Sequence, residues 1–256
     1  IGTPRILLNS KSKKFPNGLA NSSGLVGKNL MYHPYASATG LFNENDLNYT
    51  LGPLANIIIV QEFYETDPKR DFLRGYSFQM NRSHGPAHTA LGSGSGGVSL
   101  PWGKGHHDEF SKRFKKYLGL AIISEDLPEL HNRVEIDENL KDKNDIPLPK
   151  IFYKTSQNTR KLLDHGLKSA EKLLREAGSY EVIKQPLIET AGWHLMGTAK
   201  MGVDPNTSVV NPECQTHDVE NLYIIDGSVF TTSAAVNPTP TIQAIALRTA
   251  DKILKG

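Results

Sequence analysis

The last third of the chain fixes most of what it can fold into. A histidine sits in a turn rich in small residues, Gly192-Trp193-His194-Leu195-Met196-Gly197-Thr198-Ala199-Lys200-Met201-Gly202. Twenty residues on, the apolar run Leu222-Tyr223-Ile224-Ile225 closes on Asp226-Gly227. Asn237-Pro238-Thr239 then opens an apolar helix that continues to the end. A strand that stops at a glycine is where α/β folds place cofactors. Pro238 at the first helical position makes Asn237 a natural N-cap. The start of that helix also offers N–H groups without internal partners and the positive end of a dipole. The two readings of Asn237, cap and ligand-facing amide, both stay open on spacing alone.

His194 suits proton abstraction, because a neutral imidazole titrates near neutral pH. The glycines around it allow close backbone approach to a flat ligand.

Charge and cysteine content exclude several classes. Lys and Arg total 29 against 27 Asp and Glu, a net charge of +2. So balanced a chain carries no signature of a nucleic-acid or membrane-surface partner. Its short basic runs read as solvated faces. The apolar fraction of 38% and charged fraction of 22% are those of a globular protein. No run reaches the roughly 18 apolar residues of a membrane span. A single cysteine, Cys214, rules out an internal disulfide and a thiolate-bound metal held by this chain alone. His106-His107-Asp108-Glu109 and His84/His88 lack metal-ligand spacing, so no metal is expected. Ile1-Gly2-Thr3-Pro4 carries no initiator Met and no signal pattern, and is expected to be the interior of a longer chain.

The remaining pattern is strand-rich in the middle and helical at both ends. Pro4 opens a short helix. Residues 50–64, 75–80, 118–123 and 133–136 read as strands, the last two as members of an antiparallel sheet. Asp108–Leu118 has helical spacing, and residues 84–107 read as a long loop. The strongest helix spans Ser156–Ala177, with an apolar stripe of Leu162, Leu163, Leu167, Ala170, Leu173 and Leu174 and a stop at Gly178. Gly92, Gly94 and Gly97 have dinucleotide-loop spacing, but no strand leads in and Pro101 follows, so they are not read as a phosphate loop.

Taken together, the His194 turn, the Asp226-Gly227 strand end and Asn237-Pro238 resemble the C-terminal signature of the glucose–methanol–choline (GMC) family of FAD-dependent oxidoreductases. Thr3-Pro4-Arg5-Ile6-Leu7-Leu8 is similar to the family's second signature without its usual glycine-rich ending. Val26-Gly27-Lys28-Asn29-Leu30 with His33 matches a further family segment near the cofactor. The departure after Ser10 resembles the branch of gluconate and related sugar dehydrogenases.

The resemblance implies an α+β chain. Residues 1–34 would end an FAD-binding domain, 35–190 form an antiparallel substrate-binding domain, and 191–256 return to the FAD-binding α/β domain. It implies FAD as cofactor and a small alcohol, sugar, polyol or sugar acid as substrate. His194 would be the base and Asn237 the partner of the alcohol oxygen. Asp226, Gly227, Asn237, Pro238 and Thr239 would contact the cofactor. A partner subunit, met in that branch, is a further expectation. A non-catalytic sugar-binding module, or a flavin lyase on the same scaffold, are the alternatives.

Overall fold

The computed structural model describes residues 1–43, 58–82, 85–92, 99–189 and 191–255. In chain order the elements are α1 (Gly2–Asn9), β1 (Tyr35–Leu41), β2 (Ile59–Val60), β3 (Tyr76–Arg82), α2 (Pro86–Leu91) and α3 (His106–Arg113). There follow β4 (Tyr117–Ser124), β5 (Arg133–Lys141), β6 (Pro147–Phe152), α4 (Gln157–Glu176), β7 (Glu181–Gln185) and α5 (Thr239–Lys255). Contacts divide them into two units. One contains residues 1–33, 126–156 and 192–256; the other contains 34–125 and 157–191.

The second unit is built on a five-stranded antiparallel sheet in the order β2-β3-β4-β1-β7. Ile122 of β4 lies between Ala36 of β1 and Phe78 of β3, and Leu120 between Ala38 and Met80. These rows meet the stripe of α4, where Leu162, Leu163, Leu167, Ala170 and Leu174 are buried. The helix comes close at Gly166, where a Cβ would stand 2.9 Å from Ile122 Cγ2. α4 stops as its sequence predicts: Gly178 takes φ +95° and donates to Arg175, and the Ser179 N–H reaches the Leu174 carbonyl.

Three expectations for this unit are corrected. The strand expected over residues 50–64 pairs, among the described residues, only at Ile59–Val60, because the Tyr64 N–H closes a turn on the Gln61 carbonyl at 3.1 Å. The helix expected over Asp108–Leu118 runs from His106 only to Arg113, because Lys115 takes φ +63° and turns the chain into β4. The loop expected over 84–107 contains α2, which Gly92 ends in a left-handed cap. Gly94, Gly97, His84 and residues 50–57 lie outside the described residues.

The first unit gathers both chain ends and the β5–β6 hairpin. Its core joins Leu7 and Val26 to Ala199, Val209, Val210, Cys214, Ile224 and Val229. Residues 126–156 therefore pack with the chain ends, whereas the sequence boundaries placed them within 35–190. The reason is backbone pairing: Leu30 donates to Asn132 at 2.9 Å and Val134 to Gly27 at 2.8 Å. Arg5 of α1 adds an ion pair to Asp142 at 2.7 Å. β5 accordingly pairs with β6 in its own two-stranded sheet, not with β4.

Candidate functional site

The segment Gly27–His33 is the template for the His194 turn. His33 donates its N–H to the Trp193 carbonyl at 3.3 Å. Met31 and Met196 exchange both backbone hydrogen bonds at 3.0 Å, and Gly27 donates to Thr198 at 2.8 Å. The two motifs from opposite ends of the chain thus run antiparallel to one another. Gly197 is required at this crossing: it has φ +88°, and its hydrogen faces the Asn29 carbonyl.

His194 itself takes φ +55°, a left-handed conformation that side chains other than glycine seldom adopt. Its ring is half-buried, and Nδ1 is buried without a hydrogen-bond partner among the described residues. Burial holds the imidazole below the ordinary histidine value, so the ring is neutral near pH 7. The His33 ring stands edge to face with it, centroids 5.0 Å apart and planes at 78°.

Behind His33 lies a polar cluster that the sequence did not point to. Asp126, 2% exposed, accepts the Tyr153 hydroxyl at 2.7 Å and the Tyr32 N–H at 3.4 Å. Its own N–H donates to Ser233 Oγ at 2.7 Å, and the Ser233 hydroxyl donates back to the Asp126 carbonyl at 3.1 Å. Tyr32 meets Tyr153 edge-on at 4.5 Å. The one local hint is the pair of carboxylates Glu125-Asp126 that follows β4.

Asp226 and Gly227 lie beside the His194 turn. Gly197 donates to the Gly227 carbonyl at 3.3 Å, Ala199 to Ser228 at 2.8 Å and Met201 to Val229 at 2.9 Å. A Cβ on Gly227 would stand 3.0 Å from the Leu195 carbonyl oxygen and 3.6 Å from Ile242 Cδ1. Gly227 therefore joins the His194 turn to the first turn of α5. The exposed Asp226 carboxylate accepts the Ser228 N–H at 2.7 Å and the Thr3 hydroxyl at 2.5 Å. The run 222–225 is extended, but only Tyr223 pairs, in a single bridge to Gln215.

α5 begins one residue later than Pro238 suggests. Ile242 donates to the Pro238 carbonyl at 3.0 Å, so Pro238 occupies the cap position and Asn237 precedes it. The N-cap reading of Asn237 is thereby corrected. Asn237 and Thr239 are exposed while Pro238 is buried.

These groups fit an FAD. A helix start, with its positive dipole end, suits the negative charge of a reduced flavin. A neutral imidazole lies in the same unit. Among the described residues no cluster of His, Cys, Asp or Glu could hold a metal ion.

A family model described as GMC oxidoreductase matches residues 128–246. A 2-methyl-1,2-propanediol dehydrogenase of Mycolicibacterium austroafricanum is 41% identical over 99% of the chain and 46% of its own length. The fructose dehydrogenase large subunit of Gluconobacter japonicus is 30% identical over 99% of the chain and 45% of its own length. The chain spans about half the length of the curated relatives it matches. Its fold is that of a pyridoxine 4-oxidase crystal structure from Mesorbium loti, at TM-score 0.61, 13% identity, all of this chain and 50% of the other. On the residues of the site and on these matches, the chain belongs to the GMC oxidoreductase family.

Proposed function

We propose that this chain supplies the base and the cofactor-facing helix start of an FAD-dependent oxidoreductase acting on CH–OH groups. The substrate class is a sugar, polyol or sugar acid, with a small polyol foremost. The observation that carries this reading is the neutral, half-buried His194 in a turn joined through Gly227 to the start of α5.

FAD, when bound, supplies the acceptor for the substrate's hydride. His194 takes the hydroxyl proton. Nδ1 is buried, which leaves Nε2 as the receiving nitrogen. In this reading the Asn237 amide holds the alcohol oxygen. The Pro238-Thr239 main chain and the first turn of α5 would hold the cofactor ring, and Asp226-Gly227 would lie against its ribityl and phosphate portion. His194 needs no change of protonation state to act at neutral pH, because burial already favours the neutral ring.

The polyol preference rests on the 41% identical relative, named for a diol. In that diol only the primary hydroxyl sits on a carbon with hydrogen to give up. A relative named as a large subunit makes a partner subunit part of the proposal. The test is anaerobic flavin absorbance of the full-length protein with 2-methyl-1,2-propanediol, fructose or gluconate. Bleaching by the diol supports the polyol reading. Bleaching by gluconate alone moves the substrate to sugar acids, and bound flavin that none of them bleaches contradicts the proposed substrate class.

A further inference from the structure

We propose that His33 is the positioning residue for His194, holding the base's imidazole by edge-to-face packing where other enzymes use a carboxylate hydrogen bond. The inference rests on the reading of His194 as the base.

A general base works only in the right orientation, and a third group usually fixes it by accepting the proton of its second nitrogen. His194 has no such group: Nδ1 is buried without a hydrogen-bond partner among the described residues. Its left-handed backbone is a strained state that persists only where the surroundings over-determine it. Two features do so here. One is the backbone ladder at Met31–Met196 and His33–Trp193, which brackets residue 194 on both sides. The other is the His33 ring, 5.0 Å from His194 at 78°, the geometry in which a ring edge meets a π face favourably.

His33 is well anchored for this task. It is 2% exposed, and the preceding Tyr32 is fixed by Tyr153 and by its N–H to the buried Asp126. A rigid ring therefore backs one whose own nitrogen is unheld. Loss of that backing lets the base rotate, and a misplacement of about 1 Å at a reacting group costs on the order of 100-fold in rate.

The experiment is a double-mutant cycle on flavin reduction in the full-length holoenzyme, with His33→Ala, His33→Phe, His194→Ala and the double alanine variant. His33→Ala is expected to slow reduction about 10–100-fold with little change in KM. His33→Phe, which keeps a flat ring of similar size and guards against misfolding, is expected to recover most of that loss. The double variant is expected to be no slower than His194→Ala, because His33 acts through His194. Carbethoxylation of His194 by diethylpyrocarbonate, followed by mass spectrometry, is expected to be faster in His33→Ala.

An unchanged rate or unchanged carbethoxylation in His33→Ala overturns the proposal. So does additivity in the cycle, or a His33→Phe variant as slow as His33→Ala. If His194→Ala itself reduces normally, the assignment of the base fails and the positioning role fails with it. If His194→Ala is slow and His33→Ala is not, the positioning role alone fails.

Discussion

A Cβ placed on Gly197 would stand 2.2 Å from the carbonyl oxygen of Asn29, closer than any real Cβ contact allows. The His194 turn and its template segment meet at this point, so no side chain fits here. Gly197→Ala is expected to destabilise the protein by on the order of 3 kcal/mol, through both the clash and the φ of +88°. Gly178 shares the left-handed backbone, at φ +95°, with nothing within 4 Å of its added Cβ. Gly178→Ala should therefore cost only roughly 1–2 kcal/mol. Denaturant unfolding of both variants checks the difference; equal losses would mean that the close approach contributes nothing.

The buried Asp126 carboxylate depends on the Tyr153 hydroxyl 2.7 Å away. Burial and the neighbouring Asp126 push the Tyr153 phenol well above its usual range, so it stays a donor at every working pH. Tyr153→Phe removes that donor from a buried carboxyl and should cost about 1–3 kcal/mol. Thermal or denaturant unfolding reads this directly, and a neutral effect would show that the hydroxyl is not needed by the carboxylate.

Glu125 gives the second unit a pH dependence of its own. Burial pushes its carboxyl up to about 7; Arg74, 3.7 Å away, opposes this, and Glu65 reinforces it. Between the ordinary value of 4.5 and about 7 the folded chain holds a proton that the unfolded chain has lost. Stability therefore falls as pH rises through that window. Glu125→Gln should raise the Tm more at pH 8 than at pH 5; the same gain at both would contradict the assignment.

For His194 the sign is opposite. Burial alone lowers its value from 6.5, so the folded chain binds fewer protons than the unfolded one below that pH. The cost to stability is absent above pH 6.5 and grows as pH falls. The same shift keeps the base neutral further into acid. Flavin reduction should lose half its rate only below pH 6.5. A midpoint above 6.5 in the rate profile would contradict a desolvated base.

The sequence made some of this legible. α4 was readable because one stripe of leucines faces the sheet and Gly178 supplies the left-handed stop. β3 was readable because Tyr76, Phe78 and Met80 alternate with polar residues, and β4 from its apolar run ending in Ile122 and Ile123. β1 was not: Tyr35–Leu41 is buried on both faces, so its residues show no alternation, and Ala, Ser, Thr and Gly carry weak strand preference. The end of α3 was hidden because Lys115 adopts a conformation its side chain does not advertise. In the site, the His194, Asp226-Gly227 and Asn237-Pro238 motifs were visible locally. The packing of Gly227 against the Leu195 carbonyl, and of His33 on His194, depends on contacts between distant parts of the chain that no local pattern encodes.

The central claim is that His194 is the base of an FAD-dependent alcohol oxidation. Its most direct test is the anaerobic rate of flavin bleaching in the full-length protein and in His194→Ala, with saturating 2-methyl-1,2-propanediol. The account predicts bound flavin in both proteins and a rate about 10²–10⁴-fold lower in the variant. Equal rates in the two would contradict it.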